Sequence, residues 1–399
     1  MGVRGGRTRA AAGSCRGSGA RARQAAALAL ALLVTCCSTA VPAAGPAPSA
    51  PDGEHPPRTF TVAMSGDVLL HDTLWEQARR DAARTGRDAY DFRPMLRGMR
   101  SAISGVDLAV CHIETPLAAP DGPFSDYPLF DVPPQIARDL AWLGYDTCTT
   151  ASNHTLDQGF SGVTRTLDTL DDAGIGHTGS ARTPDEAERP LVRDVAGVRV
   201  GLVAATYGTN GMPVPEGRRW SLDLIDADRI IADARAARQA GAEVVIAALH
   251  WGEEYRSDAT REQRALARTL ASSPDVDLVY GHHAHVVQPF DRVAGEWIAY
   301  GLGNAVADQL LEPPGMHEGI TARFTFRETR PGSFEVTHAA YVPTYVTDDY
   351  PIRWLNIAQA LRGSGPPPVS RGQLRAAADR IADVVGRYGA ADHGLRPTG

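Results

Sequence analysis

Short apolar runs rich in β-branched residues recur along the chain and alternate with stretches of helical spacing. Such runs are typical of buried strands, whereas apolar residues at every third or fourth position are typical of amphipathic helices. The runs predict strands over Thr59–Ser65, Val106–Cys111, Asp146–Thr150, Glu243–Leu249 and Val276–Tyr280. The helical spacing predicts helices over Thr73–Arg84, Phe92–Ile103, Phe160–Ala173, Asp226–Gln239 and Thr260–Ala271. This alternation indicates βαβ units and a parallel sheet.

The later part of the chain has a more antiparallel pattern. Leu191–Asp194 and Val198–Thr206 alternate on either side of a two-residue turn and predict a β-hairpin. Further strands are predicted over Thr321–Arg327 and Phe334–Val346, and a terminal helix over Arg371–Tyr388. We therefore expect an α/β sandwich in which functional residues lie at the carboxyl ends of strands.

The first fifty residues have the composition of a secretory leader. They contain six Arg, no acidic residue and an apolar run over Ala25–Val34, which is too short to span a bilayer. We expect a signal peptide over residues 1–40 and a disordered Ala/Pro-rich tether over 41–58, so the protein is exported to the cell envelope or beyond it. A lipid anchor at Cys36 or Cys37 is the alternative to full secretion.

Charge and cysteine content narrow the function classes. Removing the six leader Arg leaves 34 basic against 47 acidic residues, a net charge of about −13, which argues against a nucleic-acid partner. Outside the leader only Cys111 and Cys148 remain, and each ends or nearly ends an apolar run. They form a disulfide if their strands are neighbours, and are otherwise isolated buried thiols.

Residues that bind metals follow five of the predicted strands. Taken singly, each has an ordinary interpretation as a turn residue or helix cap. Seven of the twelve His lie in these five segments, however, and this concentration predicts a common site. Carboxylate, amide and imidazole groups together suit divalent zinc, manganese or iron. The candidates are Asp67, His71, His112, Glu114, Asn153, His154, His250, His283 and His285.

Six ordered motifs resemble the CapA family of capsule (poly-γ-glutamate) synthesis proteins, whose fold is similar to that of calcineurin-like metallophosphatases. The resemblance covers about Phe60–Val346 and implies a four-layer αββα sandwich of the metallophosphatase type over residues 59–347, followed by a helical extension over 348–399. The motifs are Gly66-Asp67, Glu114-Thr115-Pro116, Ser152–Gly159, His250–Tyr255, Gly281–Gln288 and Tyr300–Asn304.

The resemblance also implies roles for individual residues around one or two Mn, Zn or Fe ions. Asp67 and His285 would bind the first ion, Glu114 would bridge, and the second would be held by Asn153, His250 and His283. With Asp67 and Glu114, His154 would act in catalysis as an acid or transition-state donor. The substrate-binding candidates are Trp251, Glu254, Tyr255 and Asn304.

The sequence departs from the metallophosphatase pattern in the first two motifs. Leu69 stands where a ligand His is expected, and Glu114 replaces the usual bridging Asp. Our hypothesis is that His71 or His112 supplies the missing imidazole. His282 stands where the CapA pattern usually has a small residue.

Two functions follow from these features. In the first, the protein is a metal-dependent hydrolase of capsule or poly-γ-glutamate biosynthesis, in which a metal-activated water cleaves a phosphoester or γ-amide. In the second, it is a non-catalytic accessory protein that binds an anionic envelope polymer or its membrane synthase and export complex.

Overall fold

Two β-sheets carry the polar strand ends described above. The computed structural model describes residues 56–87, 89–308, 315–347, 350–364 and 367–399, so the predicted signal peptide, both candidate anchor cysteines and tether residues 41–55 lie outside the described residues. The strands are Thr59–Val68 (β1), Leu108–Ile113 (β2), Thr147–Thr149 (β3), Gly176–Thr178 (β4), Leu191–Val195 (β5), Val198–Thr206 (β6), Val244–His250 (β7), Leu278–His282 (β8), Phe290–Val293 (β9), Glu296–Ala299 (β10), Asn304–Val306 (β11), Glu318–Arg330 (β12), Ser333–Val346 (β13), Trp354–Asn356 (β14) and Arg396–Pro397 (β15).

Five of the described helices, the last five along the chain, begin at a residue whose side chain caps the first turn. Thr260 and Gln263 form a reciprocal capping box, and the Asp226 side chain accepts a hydrogen bond from the Arg229 backbone N–H. The helices are Asp72–Thr85 (α1), Arg93–Leu96 (α2), Arg100–Ile103 (α3), Gln135–Leu143 (α4), Gly159–Asp172 (α5), Pro184–Ala187 (α6), Ala227–Gln239 (α7), Arg261–Ala271 (α8), Ile357–Arg362 (α9) and Arg371–Gly386 (α10). No helix among these described residues is long and apolar enough to cross a bilayer.

The first sheet has the order β14-β13-β12-β1-β2-β3-β4, with β11 joining beside β1 and β15 beside β13. The second has the order β5-β6-β7-β8-β10-β9. In each sheet the central βαβ strands are parallel and the added strands of the later chain are mostly antiparallel. The predicted α/β class is confirmed, as is the β5–β6 hairpin.

The apolar residues of the second sheet divide between two cores. Val200, Ile246 and Leu278 face the first sheet, in a core that extends to helices α1, α4 and α5. Val203, Val245 and Val279 face the other way and pack against α7 and α8. Because each sheet is covered by helices on its outer face, the predicted four-layer αββα arrangement is confirmed.

One predicted helix is broken. The Phe92–Ile103 segment forms α2, a 3₁₀ turn over Arg97–Met99, and α3. Gly98 lies in that turn against β14, where an added Cβ would come within 2.3 Å of the Trp354 carbonyl oxygen. The close approach of β14 is a tertiary contact, so helical spacing alone does not reveal it.

The segment predicted as a helical extension also completes the first sheet. Besides α9 and α10 it carries β14 and β15, which both pair with β13. Apolar residues of α10, including Leu374 and Ile381, are buried in the core of that sheet.

Parallel pairing of β2 and β3 decides the state of the two cysteines. Cys111 and Cys148 are register partners with Cα atoms 4.4 Å apart, and they form a disulfide. Of the two alternatives left open by the sequence, the structure contains the bridged one.

A glycine allows β11 to reach the end of β1. An added Cβ at Gly66 would lie 1.9 Å from the Gly303 carbonyl oxygen, which accepts a hydrogen bond from the Asp67 backbone N–H at 3.0 Å. This approach makes Asp67 and Asn304 register partners. The Gly-Asp motif is therefore a packing requirement as well as a source of a carboxylate.

We expect Gly66→Ala to destabilise the fold by about 3 kcal/mol or more, because the methyl group has no room beside the Gly303 carbonyl. Urea unfolding followed by circular dichroism measures this loss. Gly208→Ala is the matched control, since Gly208 has no neighbouring atom within 4 Å of the added Cβ. An equal effect of both substitutions would contradict the packing role of Gly66.

Candidate metal centre

The carboxyl ends of four parallel strands meet in the crevice between the two sheets. β1 and β2 come from the first sheet, and β7 and β8 from the second. The candidate side chains that follow these strand ends are buried. The structure thus brings together predicted residues spread over more than two hundred positions, namely Asp67, His112, Glu114, Asn153, His250, His283 and His285.

Asp67 is held by three donors from the segment after β8. Its Oδ1 lies 2.6 Å from His282 Nδ1, while its Oδ2 accepts the His283 backbone N–H at 3.2 Å and lies 3.2 Å from His285 Nδ1. Burial disfavours the charged carboxylate, but the hydrogen bonds from His282 and His285 outweigh it and hold the pKa of Asp67 well below its usual range. Asp67 is therefore an anion that organises this segment.

The Gly281–His285 segment turns sharply so that successive imidazoles face the crevice. His283 and His285 have φ angles of +87° and +55°, in the left-handed region that non-glycine residues seldom adopt. Gly281 packs against the Tyr300 carbonyl oxygen, where an added Cβ would come within 2.0 Å. Backbone strain of this kind is typical of functional sites.

His112 and His250 connect the two sheets. His112 Nε2 lies 3.1 Å from His250 Nδ1, and His250 Nε2 lies 2.7 Å from the Asn153 Oδ1. Burial, followed by the charges of neighbouring imidazoles, lowers the pKa of both well below the usual range. Both rings are thus neutral at physiological pH, the form in which imidazole binds metals.

Glu114 lies at the centre of this group. Both carboxylate oxygens are buried and neither has a hydrogen-bond partner among the described residues. Its Oε1 lies 3.6 Å from His285 Nε2 and 3.7 Å from His250 Nε2. Burial raises the pKa of Glu114 well above its usual range. Burial also opposes protonation of His285, yet the facing Glu114 and Asp67 carboxylates raise its pKa to about 9.

These residues fit a divalent cation. Asp67, His112, Glu114 and His250 each offer one ligand atom, and the four atoms lie within 4.8 Å of one another. The Glu114 oxygens, together with His282 Nε2 and His283 Nδ1, are buried atoms without hydrogen-bond partners in the described structure. Such atoms are costly to bury, and a cation would satisfy them. The mixture of carboxylate and imidazole suits zinc, manganese or iron.

His154 lies beside this group and is oriented by Asp157. Its Nδ1 donates to Asp157 Oδ2 at 2.7 Å, and the same oxygen accepts the Phe130 backbone N–H at 2.9 Å. The His154 ring also packs edge-on against Phe130, with centroids 4.8 Å apart. This leaves Nε2 as the nitrogen available to a substrate.

Of the two candidates for the missing imidazole, His112 belongs to the four-residue group and His71 does not. His71 Nδ1 accepts the Asp308 backbone N–H at 3.2 Å, and its ring contacts Phe130. Burial lowers the pKa of His71 to about 4. The geometry therefore favours His112 in the hypothesis of a substituted ligand.

Two of the predicted substrate-binding residues, Trp251 and Asn304, are buried and lie away from the opening. Trp251 is only 3% exposed, lies in the core beneath α8 and donates its indole N–H to the Tyr300 carbonyl at 2.9 Å, so its predicted substrate contact stays a prediction. Asn304 is also buried, and its Oδ1 lies 3.0 Å from His285 Nδ1. It therefore orients an imidazole and does not face the opening. Glu254 and Tyr255 do lie at the opening, where Glu254 is exposed.

Three further residues of the site, His282, Tyr207 and Asn210, were not among the candidates predicted from the sequence. His282 is a register partner of His250 and stacks on His112 with centroids 4.0 Å apart. Tyr207, 47% exposed, lies over His283 at 4.4 Å between ring centroids, and Asn210 accepts a hydrogen bond from the Asn153 amide at 3.2 Å. The position of His282 at a strand end was the feature of the sequence that could have identified it. Tyr207 and Asn210 lie in the loop after β6, where the sequence has no comparable motif.

Comparison with known proteins identifies relatives of this chain. The model of the family "Bacterial capsule synthesis protein PGA_cap" matches residues 61–309. The chain is 30% identical over 170 residues to the capsule biosynthesis protein CapA of Bacillus anthracis, covering 42% of this chain and 41% of that protein. It is also 30% identical over 243 residues to a probable polyglutamine synthesis accessory protein of Mycobacterium tuberculosis, covering 56% and 60%. The matches thus span about half the length of these relatives.

Among solved structures, the chain is similar to the NAD nucleotidase of Haemophilus influenzae, with 9% identity, a TM-score of 0.44, and coverage of 86% of this chain and 64% of that one. The calcineurin-like phosphoesterase YfkN of Bacillus subtilis gives 13% identity, a TM-score of 0.40, and coverage of 82% and 98%. The family match covers more than half of the residues, and the chain therefore belongs to the bacterial capsule synthesis protein family PGA_cap.

Proposed function

We propose that this protein is an exported, metal-dependent hydrolase of capsule or poly-γ-glutamate biosynthesis that cleaves a phosphoester or γ-glutamyl amide. The observation that carries the proposal is the buried Glu114 carboxylate, surrounded by imidazole nitrogens and without a hydrogen-bond donor in the described structure. A purely structural crevice would have no reason to retain such a group. The names of the relatives support a role in polymer synthesis.

The metal would be held by Asp67, His112, Glu114 and His250, with Asn153 adjoining. A divalent cation in such a site supplies an acidified water as nucleophile and polarises the substrate. His154 faces the same crevice, and Asp157 accepts its Nδ1–H, so that Nε2 points to the substrate and donates to a substrate oxygen or nitrogen when the ring carries both protons. Asp67 keeps the Gly281–His285 segment in place throughout.

The opening of the crevice has an aromatic and acidic lining. Tyr207 lies over His283, Tyr255 lies near His285 with ring centroids 6.2 Å apart, and Glu254 is exposed beside them. This lining suits a substrate that presents one reacting group to the metal and a less charged portion to the tyrosines. It offers little to a long polyanion bound along its whole length.

Substitution of His112 should reduce metal binding, because its imidazole is one of the four grouped ligands. We expect His112→Ala to weaken metal affinity at least about tenfold, and His71→Ala to leave it unchanged. Elemental analysis of protein equilibrated with limiting Mn²⁺ or Zn²⁺ measures the difference. Unchanged metal content in both variants would reject His112 as a substituted ligand.

Hydrolysis should depend on Glu114. With metal bound, we expect the protein to cleave aryl phosphates or γ-glutamyl peptides, and Glu114→Gln to lower kcat about 100-fold or more because the site loses its central carboxylate. His338→Ala, at an exposed position of β13, is the control and should retain full activity. Absence of hydrolysis in the metal-loaded protein, with normal polymer output from Glu114→Gln cells, would instead support the non-catalytic accessory function.

Export is part of the proposal and is supported by the Cys111–Cys148 disulfide, since such bonds persist in oxidising compartments. We expect the exported protein to resist thiol alkylation at both cysteines unless it is first reduced. Leu30→Arg, which interrupts the apolar run of the leader, should retain the protein inside the cell with both thiols reactive. Export of this variant at the normal level would contradict the predicted signal peptide.

A further inference from the structure

The opening of the crevice is flanked by exposed apolar side chains that the proposed metal site does not use. Six large hydrophobic side chains are exposed in the described part of the chain. Three of them, Tyr127, Leu129 and Tyr207, lie on loops beside the crevice. Exposed apolar side chains concentrated in one place are typical of binding surfaces. With 72% of its surface exposed, Tyr127 is the most open of the six.

Tyr127 is presented by a short loop that is closed on itself. Ser125 and Asp131 exchange backbone hydrogen bonds at 2.9 and 3.0 Å. We call residues 125–131 the tyrosine loop. At its base, both carboxylate oxygens of Asp131 accept from the Arg165 guanidinium on α5, at 2.9 and 3.0 Å. The loop is therefore held in place although its tip is exposed, and a ligand would find Tyr127 already positioned.

The base of the tyrosine loop is also held by the carboxylate that orients His154. Asp157 Oδ2 accepts both the Phe130 backbone N–H at 2.9 Å and the His154 Nδ1–H at 2.7 Å. The Gln158 side-chain amide donates to the Phe130 carbonyl at 3.0 Å. The Phe130 ring contacts both the His154 ring and the Tyr127 ring, with centroids 4.8 and 6.4 Å apart. The position of Tyr127 is thus tied to that of the proposed acid.

Tyr127 also lies near the loops of the second sheet. Burial raises the pKa of Tyr255, in the loop after β7, to about 12, and the neighbouring Glu254 and Tyr127 add to this shift. Tyr207 lies in the loop after β6, with its ring centroid 4.4 Å from that of His283. Tyrosines from three loops therefore line the opening.

The same three loops carry acidic side chains but no basic ones. Residues 124–131, 207–212 and 252–255 contain four carboxylates and no Arg or Lys. Such a lining repels a polyanion. Tyrosine rings, in contrast, pack well against the apolar face of an uncharged ring. The lining therefore favours the uncharged part of a substrate.

We propose that Tyr127 is a specificity-determining residue that binds an uncharged ring on the leaving-group side of the substrate. This inference rests on the proposed function, in which His154 donates to the departing oxygen or nitrogen. Because Asp157 fixes both His154 and the tyrosine loop, the departing group lies beside Tyr127.

This placement narrows the substrate class. An internal γ-amide of polyglutamate departs with a charged carboxylate beside its nitrogen, and the acidic loops disfavour that carboxylate. The favoured substrate is a phosphoester or amide whose leaving group begins with a sugar or aromatic ring. Tyr127 then contributes to binding of that ring, while the buried residues act on the bond that is cleaved.

Binding of phosphonates, which are not hydrolysed, tests the inference without relying on activity. Isothermal titration calorimetry of the full-length, Mn²⁺-loaded protein compares phenylphosphonate with methylphosphonate. We expect the wild-type protein to bind the phenyl compound at least about fivefold more tightly, because its ring packs on tyrosine. Y127A should reduce this preference to less than about twofold, whereas Y127F keeps the ring and should retain it. Cyclohexylphosphonate, whose ring is saturated like that of a sugar, distinguishes the two types of ring, and a Tyr127-dependent preference for either supports the proposal.

Y350A is the matched control, since Tyr350 is also exposed but lies over Arg80 of α1, with the guanidinium 4.1 Å from the ring centroid. It should keep the wild-type preference. Equal affinities for all three phosphonates, absence of binding, or an unchanged preference in Y127A would overturn the role of Tyr127 and leave the proposed function to the hydrolysis assays. A Tyr127-dependent preference without hydrolysis of phenyl phosphate or a γ-glutamyl anilide would overturn the proposed hydrolase and retain Tyr127 as a ring-binding residue.

Discussion

The organisation of this protein depends on burying opposite charges in the crevice between two sheets. Hydrogen bonds from His282 and His285 hold the pKa of Asp67 well below its usual range, and the facing Glu114 and Asp67 carboxylates raise the pKa of His285 to about 9. Neither charge would be tolerated alone at this depth. Together they hold the Gly281–His285 segment in a conformation that would otherwise be unfavourable, and that conformation exposes the remaining imidazole nitrogens to one small volume.

The sheets provide the rigid frame that this arrangement requires. Gly66 admits the Gly303 carbonyl, and Gly281 admits that of Tyr300, so the strands carrying Asp67 and the histidines approach their neighbours more closely than any side chain would allow. The Cys111–Cys148 disulfide joins β2 to β3 at the residue before His112. Ligands on paired strands are positioned more accurately than ligands on loops, which is what a metal site needs.

The interior of the site and its opening differ in burial and in the residues that form them. The interior has neutral imidazoles and, in Glu114, a carboxylate without a hydrogen-bond partner among the described residues, and a cation would satisfy these groups. The opening of the crevice is formed by the loops after β6 and β7, where Tyr207, Glu254 and Tyr255 are at least partly exposed to solvent. Loops on a rigid scaffold vary without cost to the fold, so substrate choice within this family is expected to reside there.

Much of this protein is determined by local sequence. The positions of strands and helices follow from hydrophobic period and from caps such as Thr260 and Asp226, because these depend on residues only a few positions apart. The ligand candidates were also recognisable, since strand ends in parallel sheets converge on one edge. Asp67, Glu114, His250 and His285 were identified in this way.

Only the tertiary structure decided which candidates face one another. Trp251 belongs to the core, Asn304 orients His285, and His282 is a site residue, because strand register and the path of the neighbouring chain determine where each side chain points. The choice of His112 over His71 and the pairing of the two cysteines likewise depend on distances between segments far apart in the chain. Local pattern specifies which residues end a strand, whereas packing of one sheet on the other specifies which of them meet.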